Sequence, residues 1–356
     1  MKETQAKFFC IADVCADSPA LNAVDEMIAC LRKLEKLLEA SGYLPEDVVH
    51  AILILSDMND FGEVNEIYNG FFDFTLPPSR VCISSNVKPC HVKLSVILQE
   101  RGVERRGIHV QSRSFWAPPN IGPYSQSREY EGNIYASGQI GLNPSTMVLL
   151  SDPQEQSAIA IRHLMRVLRT RNCNYLGGLV GFVKSKEDAK VALNTWNDKV
   201  GDLDDEFNYS SVCLIVAVEG LPRNAKVEWY SLLATNKYED YSDFDKLELH
   251  RPGGIISCIK AVNGENLISL AFFGCEKKLL KKQLDTFVNA AIKKTIENLS
   301  VVSSLYLFHR SDLRPGEFEN VVCSIPCSYI SVPGQSHEDI VFALVCVGKR
   351  KQNGSQ

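Results

Sequence analysis

The sequence predicts an α+β fold in which a β-α-β-α-β-β unit is written along the chain three times. Three observations predict it. Residues 7–98 read as strand, helix, strand, helix, strand, strand; residues 134–233 repeat that order with the same kinds of boundary; residues 255–347 repeat it more faintly. The expected domains are residues 1–106, 107–250 and 251–356.

In the first unit, Phe8, Phe9, Ile11 and Val14 mark a strand over 7–14. Ser18 then reads as an N-cap with Pro19 at the first helical position, and Gly42 closes the helix. Between them Leu21, Val24, Met27, Ile28, Leu31, Leu34, Leu37 and Leu38 recur at three and four, one apolar stripe that must lie on a sheet. The continuous apolar run Val48 to Leu55 is short enough to be a buried strand. Ser56 to Asp60 turns into a second amphipathic helix through Phe61, Val64, Ile67, Tyr68, Phe71 and Phe72, and strands follow over 81–84 and 92–98.

A proline-rich arm opens the second unit. Pro118, Pro119 and Pro123 fix φ and withhold N–H donors, so Trp116 to Tyr124 reads as extended chain. After a turn at Glu131-Gly132-Asn133, a strand over 134–140 is expected, with Gly138 letting it bend. Asp152-Pro153, with Glu155 three residues after the cap, starts a helix as a capping box. Strand 179–183, helix 187–200 and strands 212–218 and 226–233 complete the unit. In the third, a hairpin across Asn263-Gly264, a helix over 280–299, and strands 302–308 and 340–347 are expected, with no second helix.

At 356 residues the chain exceeds the usual size of one core. Its 45% hydrophobic and 23% charged residues are ordinary for a globular protein, and a net charge of -5 gives no reason to expect a nucleic-acid partner. The start, Met1 to Gln5, has no apolar segment, and no run approaches the ~18 apolar residues of a spanning helix, so the expectation is a soluble, cytoplasmic chain without a membrane partner. The 12 cysteines are dispersed, and Cys10, Cys82, Cys213, Cys258 and Cys346 sit among apolar strand residues, which reads as buried free thiols in a reducing compartment. Cys323 and Cys327 lack partners for a zinc site, the 7 histidines show no metal spacing, and His163 beside Arg162 reads as a solvated side chain; no metal is expected. A Gly-x-x-x-x-Gly-Lys phosphate loop is absent, so no cofactor is expected in this chain.

Ile121-Gly122-Pro123-Tyr124-Ser125-Gln126 followed by Ser137-Gly138-Gln139-Ile140 resembles the opening of the Rid family (RidA/YjgF, also filed as L-PSP endoribonucleases). His109-Val110-Gln111-Ser112 and Trp116-Ala117-Pro118 resemble more narrowly the Rid-like region of eukaryotic diphthine–ammonia ligases, and the likeness covers most of residues 7–240. The resemblance implies chorismate-mutase-like domains that assemble as trimers around a central barrel, so three copies in one chain would form an internal pseudo-trimer and the chain would be a monomer. It also implies an N-terminal ATP-pyrophosphatase domain carrying the ATP chemistry, since its Ser-Gly-Gly-x-Asp-Ser loop is absent here, and elongation factor 2 as the protein substrate of the whole enzyme. The first copy lacks the arm that opens the second, which leaves a sheet edge to manage. Either the chain is part of a longer polypeptide or another segment completes the sheet, and the resemblance favours the former.

In Rid deaminases an arginine on the strand after the second helix holds the carboxylate of an imino acid, a glutamate on the next strand positions water, and a tyrosine in the arm closes a pocket formed between copies. Carried over residue by residue, Leu76-Pro77-Pro78-Ser79-Arg80-Val81 puts Arg80 at the arginine position, while His91-Val92-Lys93-Leu94-Ser95 brings no carboxylate. Leu221-Pro222-Arg223-Asn224-Ala225-Lys226-Val227-Glu228 keeps Glu228, and there Cys213 stands at the arginine position; Tyr124 is in the arm. The third copy offers Tyr329 or Ser328 and no glutamate. The expected site is therefore Arg80 and Glu228 as catalytic pair with Tyr124, Arg80 and Cys213 binding a small carboxylate, if the first two copies meet; the bland alternative is an exposed or salt-bridged Arg80, a surface Glu228 and an inert buried Cys213. Three functions stay open: a ligand- or partner-binding scaffold without independent catalysis, an autonomous imine or enamine deaminase, and an oligomerisation module.

Overall fold

The strand Val48–Leu55 is buried at every position, and its two faces meet different neighbours. Ala51, Leu53 and Leu55 pack with the helices Ala23–Ala40 and Phe61–Phe71, whereas Ile52 and Ile54 join a core shared with other sheets. A strand covered on both sides loses the apolar–polar alternation, which is why its sequence is one hydrophobic run. The structure, a computed structural model, describes residues 7–350 except 9, 19–21, 117, 205–207, 210–212, 238–241, 252–253, 264–265, 275–287, 290, 293–298, 311–322, 328 and 332–339.

Among the described residues three sheets organise the chain. The first has the order Cys10–Val14, Val92–Leu98, Val48–Leu55, Ser79–Ser84. The second runs Tyr329–Ser331, Cys213–Ala217, Tyr175–Val183, Val227–Thr235, Asn133–Ala136, Ser127–Tyr130, Arg106–Ile108, and carries the helices Pro153–Thr170 and Lys186–Asp204. The third runs Lys7–Phe8, Leu299–Arg310, Ile340–Arg350, Asn266–Gly274, Gly254–Asn263, Ser242–Arg251, with Cys323–Cys327 also on Leu299–Arg310.

The first two sheets share a register. Leu55 lies opposite Ser84 in parallel and opposite Val92 in antiparallel; Val183 lies opposite Ala217 and Val227 in the same two senses. Counting back from those pairs, Arg80 and Cys213 occupy the same place, as do Lys93 and Glu228. In the third sheet the parallel neighbours of Leu299–Arg310 are Lys7–Phe8 and Cys323–Cys327, so Tyr329 does not hold the arginine place: it lies on the strand paired to Cys213–Ala217. Ser328 and most of the helix expected over 280–299 lie outside the described residues.

One core gathers all three sheets: Ile52, Val81 and Ile83 from the first, Phe182, Val216 and Tyr230 from the second, Tyr306, Phe308 and Val345 from the third. Tyr230 and Tyr306 join hydroxyls at 3.1 Å, and the Phe182 and Phe308 rings lie 6.3 Å apart. Two further cores separate the first and second sheets from their helices.

Several local expectations are corrected. The first helix is capped by Asn22, not Ser18: its side chain accepts from Asp25 N at 2.8 Å, so the helix begins a turn later. Asn22→Ala is expected to cost about 1 kcal/mol in urea unfolding. The strand over 134–140 is interrupted at Ser137-Gly138, for a reason given below. His163 is fully buried and bonds Leu142 O through Nε2 at 2.8 Å, since the helix turns it toward the sheet. Ser242–Arg251, absent from the sequence reading, pairs along its length with Gly254–Asn263; two aspartates among its first four residues hide its strand character. No helix among the described residues is long and apolar enough to cross a membrane.

Candidate ligand site between the first and second sheets

The free edge of Ser79–Ser84 is where the second sheet attaches. Ser125 bonds back to the chain before it, Oγ donating to Pro77 O at 2.6 Å and N to Pro78 O at 3.2 Å. Arg80 N donates to Ser137 Oγ at 2.8 Å, that hydroxyl donates to Ser125 O at 2.7 Å, and Gly138 N donates to Arg80 O at 3.2 Å. At the far end Ser84 N donates to Gly220 O at 2.9 Å. Ser137 keeps one bond of its own ladder, N donating to Gln126 O at 2.9 Å, while Gly138 turns its N–H to Arg80 O, and the strand breaks there. A Cβ on Gly138 would fall inside the Glu228 carboxylate, and one on Gly122 would stand 2.8 Å from Arg80 Nη2. Both glycines are set by close approach of neighbouring chains.

These attachments border an open cleft, about 520 Å³ with the solvent space at its mouth included, lined by Arg80, Cys82, Tyr124, Gly138, Glu228 and a wall of prolines and aliphatic side chains. Arg80 is 3% exposed, its guanidinium carbon 4.6 Å from the Tyr68 ring centroid, 5.4 Å from that of Tyr124 and 5.8 Å from that of Phe61. Three ring faces attract the cation without supplying a hydrogen-bond acceptor. Arg80 Nη1 is left buried and unbonded, and so is Glu228 Oε2. Burial pushes the Glu228 carboxyl up to about 8, although Arg80 pulls the other way. The cleft thus pairs a desolvated cation with a carboxylic acid that holds its proton at neutral pH. Tyr124 is positioned by its hydroxyl, which accepts from Ile121 N at 3.1 Å, and Asn120 Nδ2 donates to Tyr124 O at 2.9 Å.

The structure therefore brings Arg80, Glu228 and Tyr124 together and leaves Cys213 apart. Cys213 is wholly buried in the core between the second sheet and its helices, where burial raises its thiol, and Tyr329–Ser331 pairs with the strand's edge. Its side of the strand is that of Arg80, but an apolar helix layer covers it. The cleft's own cysteine is Cys82, pushed up to about 12 by burial. Phe61 and Tyr68 were visible only as part of a helix stripe, and Ser137 only as part of a resemblance; their roles depend on what packs opposite. Among the described residues no group of three or more His, Cys, Asp or Glu side chains is placed to hold a metal ion.

A family model for endoribonuclease L-PSP matches residues 18–96 and 116–232. The chain is 36% identical over 234 residues to a diphthine–ammonia ligase of Schizosaccharomyces pombe, covering 65% of this chain and 38% of that protein. To the diphthine–ammonia ligase of Saccharomyces cerevisiae it is 29% identical over 277 residues, covering 69% and 40%. A mouse 2-iminobutanoate/2-iminopropanoate deaminase is 44% identical over 54 residues, 15% of this chain and 40% of that one. The chain spans about two fifths of the length of these ligases. With the family model matching more than half of its residues, across both sheets that build the cleft, the chain belongs to the endoribonuclease L-PSP (Rid) family.

Proposed function

We propose that the cleft binds a small 2-imino carboxylate and hydrolyses its C=N bond, releasing ammonia. One observation carries this reading: Arg80 Nη1 and Glu228 Oε2, both buried and both without a hydrogen-bond partner, face the same cleft. Arg80 would take the substrate carboxylate through its planar fork. Glu228, protonated near neutral pH, would give its proton to the imine nitrogen and, as a carboxylate, accept one from the attacking water. Collapse of the carbinolamine then expels ammonia and leaves a 2-oxo acid. The balance is imine plus water to ketone plus ammonia, without a redox partner.

We also infer that the three sheets are Rid-like units packed as an internal pseudo-trimer, with an open cleft where the first two meet. The shared core supports this, and so does Tyr329–Ser331 lying on the edge beside Cys213. In a whole protein of the ligase type, this region would supply or sense ammonia beside an ATP-dependent amidation of elongation factor 2, the nucleotide site lying outside it. A scaffold without turnover is favoured instead if the cleft binds and does not react.

The test is release of 2-oxo acid from 2-iminopropanoate generated in situ by an amino acid oxidase. Release above the buffer rate is expected, falling about 100-fold, roughly 2.7 kcal/mol, in Arg80→Ala. An unchanged rate in that variant removes Arg80 from the mechanism. Calorimetry with pyruvate is expected to give about one site per chain, and light scattering a monomer; a stable trimer of the whole chain would count against the pseudo-trimer.

A further inference from the structure

We propose that the loop 111–116, together with the arginine face of the helix Pro153–Thr170, docks an acidic polypeptide segment that carries apolar side chains. The loop is clasped at its base by one side chain: Gln126 Oε1 accepts from Val110 N at 2.8 Å, and its Nε2 donates to Val110 O at 2.5 Å and to Pro118 O at 3.4 Å. Its flank is tied to the helix, where Arg166 Nη1 donates to Trp116 O at 2.5 Å. Yet Phe115 is 93% exposed and Trp116 56%. Adjacent aromatic side chains held out in water on an anchored loop add little to the core, and such residues act as anchors when a partner covers them.

Beside the loop, Arg162, Arg166 and Arg169 follow one another at four and three residues, which puts them on one face of the helix. Burial and then the charges of Arg162 and Arg169 hold the Arg166 guanidinium below its usual range. Arg162 and Arg169 act on it as like charges, which a carboxylate-bearing partner would offset. Nucleic acid is the poorer fit. The three arginines span only about 10 Å of helix, short for the run of phosphates on which such affinity rests, and the chain carries a net charge of -5. The loop also continues into Pro118 and Pro119 of the cleft wall, so a docked partner would sit at the mouth.

Trp196 and Trp229 are buried at 5% and 0% exposure, which leaves Trp116 as the accessible tryptophan and an intrinsic reporter. The full chain is titrated with a 16-residue peptide of glutamates bearing two leucines and one phenylalanine. A peptide with glutamines for the glutamates and a 15-nucleotide oligouridylate serve as comparisons. The expected result is a saturable change in tryptophan fluorescence that weakens with salt and is at least 10-fold weaker for the glutamine peptide. Phe115→Ser and Arg162→Glu, both at exposed positions, are each expected to weaken it about 10-fold with unchanged circular dichroism. The proposal is overturned by the absence of saturation, by equal binding of the glutamine peptide or of either variant, by tighter binding of oligouridylate, or by a concentration-dependent dimer that Phe115→Ser dissolves.

Discussion

Arg128→Met is expected to destabilise the chain by about 2–4 kcal/mol in urea unfolding and to expose the junction between the first two sheets to protease. Arg128 is completely buried, and its acceptors belong to the first unit: Nη1 donates to Val48 O at 3.3 Å and Leu76 O at 2.9 Å, and Nη2 to Gln99 Oε1 at 3.2 Å. Burial, and then Arg105, pull its pKa down to about 10, so the site places a penalty on the charge it still carries at neutral pH. Two effects therefore oppose each other. Methionine removes the buried charge but strands three acceptors whose bonds to a cation contribute roughly 1.5–3 kcal/mol each. The lost bonds outweigh the relieved desolvation, which sets the sign. Gly107 supports the same reading, because a Cβ there would stand 3.2 Å from Arg128 Cδ. A variant as stable as the parent would show that the arginine is tolerated at this junction and does not hold it.

The second large effect is a dependence on pH set by Glu228. Its folded-state pKa of about 8 lies above the ~4.3 of a glutamate in unfolded chain. Between those values the folded protein keeps a proton that the unfolded chain releases. The contribution to stability is full below about 4.3 and is lost as pH rises through about 8. Allowing for relaxation and water entry, the loss is about 2–4 kcal/mol. Glu228→Gln keeps the shape and cannot ionise, so the difference in unfolding free energy between variant and parent should grow from pH 5 to pH 9. Parallel curves, or a parent that gains on the variant with rising pH, would mean that Glu228 is ionised in the fold. The same proton governs the ligand: pyruvate affinity is expected to fall above about pH 8, when a second carboxylate would face it, and to lose that dependence in the variant.

Much of this was legible in the residues. The run Val48 to Leu55, the Asp152-Pro153 helix start, whose Asp152 side chain accepts from Glu155 N at 2.9 Å, and the Glu131-Gly132 turn all lie where local chemistry put them, because each depends on nearest neighbours along the chain. Errors came where distant residues decide. Ser18 and Asn22 are both competent caps, and the choice between them depends on where the helix settles on its sheet. His163 reads as solvated beside an arginine until the helix orientation buries it against Leu142.

The site divides in the same way. Arg80, Glu228 and Tyr124 could be named from their strands and arm, but residue types along the chain carry no distance between one unit and the next. Nor did Lys and Arg spacing reveal the surface around Phe115, since the arginine face belongs to a helix about fifty residues from the loop it supports. The polypeptide by itself determined the order of strands and helices in the first two units, the places that arginine and glutamate occupy in their registers, and the thiol at Cys213 where a cation would otherwise stand. Tertiary structure alone decided that the edge of Ser79–Ser84 is closed by Ser125, Ser137 and Gly220, that Arg80 and Glu228 then share one cleft, and that Cys213 faces a helix layer instead. The physical reason is that a buried charge is defined by what surrounds it, and here every surrounding group arrives from another part of the chain.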